Sequence, residues 1–368
     1  VRRTAIALAA SASALSLAAC GAMDGVDAGS TPVTLKKGND ITVGLLLPEK
    51  ENTRYEKFDY PIIKKQVTAL THGEGKVVYA NADADAAEQG RQLEQMIADE
   101  VDVLLVDAVD AKAIAPGVKK AKDAGIPVIA YDRLAQGPID AYVSFDNELV
   151  GQVQGRSLVE ALGSKASYSK IVMMNGSVTD PNAAQFKQGA LGELGGKVNI
   201  VKTYDTTDWK PEVAKANMAA AIRAVGLSNI AAVYSANDGI AGAVIDALKE
   251  AGISKVPPVT GQDAELAAVQ RIVAGDQYMS VYKSYPQEAS NAAEMAVAKV
   301  QGRSIEFDAL TRDKVDSPTQ KRIPAMLVPV VALTRENIKD TVIQDEIYTV
   351  KDICTAAYKS DCQAIDLK

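Results

Sequence analysis

The sequence predicts an α/β protein made of two similar doubly wound parallel-sheet lobes joined by a multi-strand hinge. Two observations carry this. Short apolar strands alternate with helices through the body of the chain, the pattern of βαβ units. One unit also occurs twice: VDVLLVDAVD, a helix and AGIPVIAYDR, then IAAVYSANDG, a helix and VPPVTGQDAE. Asp107 and Asp132 are 25 positions apart, and Asn237 and Asp263 are 26 apart. Strands of an open parallel sheet turn their carboxyl ends toward one crevice, where ligands bind. Each lobe then brings an amide or carboxylate pair to that crevice, the layout of a clamp for a small polyol.

The elements follow in order. ITVGLLLP, Ile41 to Pro48, reads as a buried strand, and a helix is expected from about Tyr60 through Leu70. KVVYANAD is a strand. AAEQGRQLEQMIADE is a helix with Leu93, Met96 and Ile97 on one face, capped by Asp83 or Asp85. NELVGQVQGRSLVEALG is amphipathic, SKIVMMNG is a strand, and the next helix begins near Asn182. Pro211 opens another helix at its first turn. Ile240, Val244 and Leu248 line one face of the helix after SANDG. The remaining elements, through SVYKSYPQEASNAAEMAVAKVQG and PAMLVPVVALT, are too few for a third domain. They are expected to return and complete the two lobes, with hinge crossings near residues 143–147, 279–283 and 324–330. The expected lobes are 40–145 plus 281–325 and 146–280 plus 326–368.

The first residues read as an export signal. Arg2 and Arg3 precede an apolar run from Ala5 to Leu17, then Ala18, Ala19 and Cys20. That run is short for a bilayer span and has the order of a signal peptide over residues 1–19. Cysteine directly after Leu-Ala-Ala resembles a bacterial lipobox, whose thiol is acylated. Val1 reads as an initiator from an alternative start codon. Residues 20–39 read as a tether with a reach of roughly 25 Å. The expected location is the outer face of the cell membrane, as a lipoprotein. Without residues 1–19, 38 Lys and Arg stand against 47 Asp and Glu. So acidic a chain lacks the basic footprint of a nucleic-acid binder. Beyond Cys20 the only cysteines are Cys354 and Cys362. An even, closely spaced pair in an exported chain suggests a disulfide. Two thiols without nearby histidines make a poor zinc site.

Several motifs then carry a resemblance: VIAYDRL, SFDNELVG, SANDG, TGQDAE and SVYK in that order, with TRYEKF and DPNAA as looser matches. With them the chain resembles the periplasmic sugar-binding proteins of the type I fold, in the xylose-binding branch, from Ile41 to about Ile347. The resemblance implies capture of one monosaccharide, xylose or a similar aldose, for an ABC permease, by a monomer that needs no cofactor. Some family members present the sugar to a membrane receptor kinase instead, and that sensor role is the alternative.

The residue types suit a sugar. Carboxylates and amides bind vicinal hydroxyls with directional hydrogen bonds, and aromatic rings cover the C–H face. Asp107, Asp132 and Arg133 sit at strand ends of the first lobe, and the loop after the first strand supplies Arg54 and Tyr55. The second lobe offers Asn182, Trp209, Asn237 and Asp263, and Lys283 lies at a hinge crossing. The resemblance implies ligand contacts at all of these. Tyr55 and Trp209 lie in polar loops, NTRYEK and TTDWKP, where a core role is less natural. Asp238 and Asp263 both precede helices. We assign the helix cap to Asp238 and the ligand contact to Asp263. Asp110 and Asp146 read as caps or hinge hydrogen-bonders, and Arg133 as a partner for Asp132, a ligand donor, or both. Tyr55 stands where xylose binders often have tryptophan. Asp59 lies near a second arginine of some relatives, and Phe186 replaces an arginine of ribose and galactose relatives, so the sugar's identity stays open.

Enzyme readings do poorly. The single histidine, His72, sits in a surface-like THGEG turn. HExxH, GxxxxGK[ST] and GxGxxG are missing, and no helix-turn-helix suggests a regulator. A carboxylate pair can hydrolyse a glycoside. Acids that recur with amides and basic residues on repeated units fit holding better than cleaving, so a lipoprotein glycosidase is the distant alternative.

Overall fold

The computed structural model describes residues 37–368. The signal segment, Cys20 and most of the tether lie outside the described residues.

The first sheet begins with β1 (Thr42–Leu47), β2 (Lys76–Asn81), β3 (Val103–Val106), β4 (Val128–Tyr131) and β5 (Ala141–Phe145). They run parallel in the order β2-β1-β3-β4-β5. The helices between them are α1 (Tyr60–Leu70), α2 (Ala86–Ala98) and α3 (Ala115–Asp123). Asp85 is the cap of α2, accepting from the Ala87 and Glu88 N–H groups. After β5 the chain leaves this sheet through α4 (Asn147–Leu162), capped by Asp146.

The second lobe repeats the order. Its elements are β6 (Lys170–Asn175), α5 (Pro181–Leu194), β7 (Asn199–Asp205), α6 (Pro211–Val225), β8 (Ala232–Ser235), α7 (Asp238–Glu250), α8 (Leu266–Ala274) and β9 (Ser280–Lys283). β7, β6 and β8 pair in parallel. Single parallel bridges, Val233 to Val259 and Gln262 to Val281, continue through an irregular fourth position to β9. The duplicated sequence unit is thus a duplicated topology.

Two further crossings complete the lobes. α9 (Tyr285–Val300) returns to pack on α1 and the first sheet. After α10 (Ser304–Leu310), β10 (Asp313–Val315) pairs antiparallel with β11 (Ile323–Val328), which joins β5 in parallel. β12 (Val330–Leu333) then pairs antiparallel with β9 in the second lobe. Residues 281–283, expected with the first lobe, pair with β12 in the second lobe, and 326–328 pair in the first sheet. The chain changes lobe only where its strand ladders end. α11 (Val350–Ile353) and α12 (Lys359–Ala364) form a tail on α8, with the sulfurs of Cys354 and Cys362 within bonding distance.

Burial follows from this arrangement. Parallel strands covered on both faces are near-continuous apolar runs, and β3, β4 and β8 are buried throughout. Ile240, Val244 and Leu248 are fully buried on α7. α4 and α5 approach through glycine. A Cβ at Gly151 would fall 1.9 Å from the Phe186 carbonyl oxygen, and one at Gly189 would fall 2.0 Å from that of Glu148.

Gly151→Ala must therefore spread the helix pair, and overpacking of this kind costs about 1–3 kcal/mol. Urea unfolding should show that loss. Gly192→Ala, on α5 of the same pair with open space around it, should be neutral or slightly stabilising. Equal effects at both sites would contradict the close approach.

Candidate functional site

A small, mostly polar cavity lies between the carboxyl ends of the two sheets. From the first lobe it is lined by Glu49, Asn52 and Tyr55 after β1, and by Asp132 and Arg133 after β4. The second lobe adds Asp180, Asn182 and Phe186 at the start of α5, Trp209 before α6, Asn237 and the Gln262–Asp263 turn. Lys283, the last residue of β9, closes the hinge side.

Asp132 is held from behind. Its backbone is left-handed at φ 54°, and its Oδ2 accepts from Arg54 at 2.8 Å. Arg54 is 2% exposed and also binds Asp59 at 2.8 Å and Glu288 on α9. Tyr131 donates to Asp59 at 2.7 Å. Burial drives the Asp132 carboxyl up. Lys283, Arg54, Arg133 and the Asn182 hydrogen bond outweigh it and hold the group below its ordinary range. Asp132 thus stays a carboxylate, able to accept from hydroxyls.

Three polar links join the lobes across the cavity. Asn182 Nδ2 donates to Asp132 Oδ1 at 3.0 Å. Arg133 Nε lies 3.1 Å from Asp180 Oδ2, which also accepts from Trp209 Nε1 at 3.1 Å. Asn52 Nδ2 donates to Asp263 Oδ2 at 2.9 Å, and Lys283 Nζ is 2.9 Å from the other oxygen. Buried acceptors of lining residues, Asn182 Oδ1 and Gln262 Oε1, have no hydrogen-bond partner among the described residues. Buried polar groups of this kind ask for one. The aromatic wall is Tyr55, Phe186 and Trp209, the last two meeting edge-on at 6.4 Å between centroids. Gly176 lets the indole in, since a Cβ there would fall 2.0 Å from a Trp209 ring carbon.

Of the expected contacts, Tyr55, Asp132, Arg133, Asn182, Trp209, Asn237, Asp263 and Lys283 line this cavity. Arg54 and Asp107 do not. Arg54 sits one layer back, braced on Asp132. Asp107 is fully buried with Arg133 Nε at 3.5 Å. Burial pushes its carboxyl well above the usual range, against the pull of Arg133. Three other expectations change. Arg133 pairs with Asp180, Asp107 and Glu49 rather than Asp132, because successive side chains at a strand end diverge. Asp59 is the buried partner of Arg54. Asp238 is not the α7 cap. Asn237 is extended at φ −144° and its Oδ1 accepts from the Ile240 N–H at 3.0 Å, so α7 begins with Asp238 itself. A cap must sit in non-helical backbone, and Asn237 is the last residue that does.

Glu49, Asn52, Asp180 and Gln262 line the cavity without having been singled out in sequence. Glu49 had a readable signal, since it follows the first strand directly. Asp180 is the cap of α5, accepting from the Asn182 N–H at 2.8 Å.

Asp238 is fully buried. Burial pushes its carboxyl up to about 7, while Arg271, Ser280 and Gln277 pull it down. A carboxyl raised above its unfolded value near 4 keeps its proton longer in the fold. Its contribution to stability is therefore present below about pH 4 and lost as pH rises to about 7. Urea unfolding of the wild type should weaken relative to Asp238→Asn by up to about 1.4 kcal/mol per pH unit across that window, then level off. Parallel curves for the two proteins would contradict this.

Among the described residues no helix is long and apolar enough to cross a membrane, and no acid, histidine and cysteine cluster suits a metal ion. Residues 43–304 match the family model described as periplasmic binding protein domain. The D-xylose-binding periplasmic protein of Haemophilus influenzae is 35% identical over 320 residues, 85% of this chain and 92% of that protein. The multiple sugar-binding periplasmic receptor ChvE of Rhizobium radiobacter is 32% identical, covering 83% and 90%. An ABC transporter solute-binding protein from Clostridium phytofermentans, solved with β-D-glucose, superposes with a TM-score of 0.78 at 28% identity, covering 85% of this chain and 99% of that one. A carbohydrate transporter solute-binding protein from Chloroflexus aurantiacus, in complex with D-glucose, gives 0.72 at 28% identity, covering 84% and 97%.

Proposed function

The chain belongs to the periplasmic binding protein domain family, and from that premise we propose that it captures an aldose, xylose or a close relative such as glucose, between its lobes for an ABC importer. It is a binding component, not an enzyme. One observation carries the reading. The cavity presents carboxylates, amides, two cations and three aromatic rings from both lobes at once. Hydroxyls of a small ring satisfy the polar groups, and its C–H face meets the aromatic ones. Ligand favours the closed arrangement because it touches both lobes.

Calorimetric titration with D-xylose and D-glucose tests this. Asp132→Ala and Asp263→Ala each remove an acceptor from the cavity and should weaken binding on the order of ten- to hundredfold. Small-angle scattering should show a smaller radius of gyration at saturation with sugar. Undiminished affinity in both variants, or a radius that never changes, would oppose the reading.

The setting is extracytoplasmic. We read Cys20 as the acylated residue of a lipoprotein, on the strength of Leu17-Ala18-Ala19-Cys20, and the body as a monomer. Cys20→Ser should abolish lipid labelling; labelled protein still found in membranes would remove the anchor. The Cys354–Cys362 link closes a short loop and should contribute about 2–3 kcal/mol. Both thiols should resist labelling in the exported protein until it is reduced.

A further inference from the structure

The turn that carries Asp263 is held from below by a carboxylate that does not line the cavity. Asp263 and Ala264 have φ of 91° and 48°, a left-handed region that residues other than glycine seldom enter unless their surroundings hold them there. Three N–H groups in this turn are tied down. The Asp263 N–H donates to the Val281 carbonyl at 2.9 Å. The Ala264 N–H donates to Ser280 Oγ at 3.0 Å, and the Glu265 N–H to Asp238 Oδ2 at 3.0 Å. Ser280 Oγ in turn donates to Asp238 Oδ2 at 2.7 Å, and Gln277 Nε2 to Asp238 Oδ1 at 2.7 Å. The last two of the three turn N–H groups thus end, directly or through Ser280, on one carboxylate. A Cβ at Gly261, just before the turn, would lie 1.9 Å from Asp238 Oδ1, so the turn is seated directly on this group. Arg271 fixes the backbone beneath it, donating to the Asp238 carbonyl at 2.9 Å.

We propose that Asp238 is the positioning residue of the second lobe: it locks Asp263 and Ala264 in their left-handed turn and so aims the Asp263 carboxylate at the ligand. The inference rests on the reading of Asp263 as a sugar contact. Three donors converge on Asp238, and above about pH 7, where the group is ionised, its carboxylate accepts from all of them. In Asp238→Asn one of its two side-chain positions becomes an N–H donor facing a donor. The turn loses its acceptor at Oδ2, or the side chain loses the Gln277 bond that fixes it beneath the turn, and either loosens Asp263 from its constrained backbone.

The test is a double-mutant cycle on the full-length chain, titrated calorimetrically with D-xylose and D-glucose. Asp238→Asn should weaken sugar binding about tenfold while its circular dichroism stays that of the wild type. In an Asp263→Asn background the same change should cost less than about twofold, because nothing remains to be aimed. Equal losses in both backgrounds would mean that Asp238 supports the lobe at large, and would overturn the proposal. So would wild-type affinity in Asp238→Asn. Ser280→Ala cuts the link to Ala264 and runs the same cycle if Asp238→Asn does not fold. It too should weaken binding, and wild-type affinity there would overturn the proposal. A wild type that binds neither sugar would overturn the sugar reading itself, and this inference with it.

Discussion

One buried guanidinium organises the first lobe. Arg54 has almost no access to solvent and binds three carboxylates, Asp59, Asp132 and Glu288. Burying a charge is tolerable only when its partners are close and its donors are used. Here they come from three places: Asp59 ends the turn that Tyr55 begins, Asp132 follows β4, and Glu288 lies on α9. α9 is also the helix by which the chain returns from the second lobe. The pairing therefore ties the cavity wall to a hinge crossing. It also leaves Asp132 with one oxygen committed to Arg54 and the other turned to Asn182 of the second lobe.

The links between lobes use the residues that line the cavity. Asn182 meets Asp132, Arg133 meets Asp180, and Asn52 meets Asp263. A hydrogen bond to a charged group, as each of these is, has a net worth of about 1.5–3 kcal/mol. Three of them oppose the freedom of two lobes to separate. A ligand that engages the same side chains shifts the lobes toward the arrangement in which it touches both. The aromatic residues near the hinge add a second connection. Phe58 packs against Tyr285 at 5.4 Å between centroids and against Tyr348 of the tail at 6.2 Å. The tail thus touches the same short turn that carries Tyr55.

The periodic features were legible in the chain itself. Strand and helix positions, the duplicated unit and the hinge crossings follow from burial periodicity and from polar residues at strand ends. The caps at Asp85 and Asp146 follow from local chemistry, since a cap and the N–H groups it accepts lie within three residues. The site was partly legible for the same reason: a parallel sheet opens its carboxyl ends toward one crevice, so Asp132, Asn237 and Asp263 could be placed there by position alone.

Side-chain direction was decided only by the tertiary structure. Arg54 and Asp107 have the right residue types at the right distance from strand ends, yet they face inward behind the cavity wall. Arg133 turns from its neighbour Asp132 toward Asp180, which lies 47 positions further along the chain. Asn237 takes the cap expected at Asp238 because one residue of backbone separates extended from helical geometry. Sequence determines which groups reach a crevice edge, because strand polarity and periodicity are local. It does not determine which way each group points there. That depends on φ at single residues and on partners brought in from distant segments, and only the folded chain supplies both.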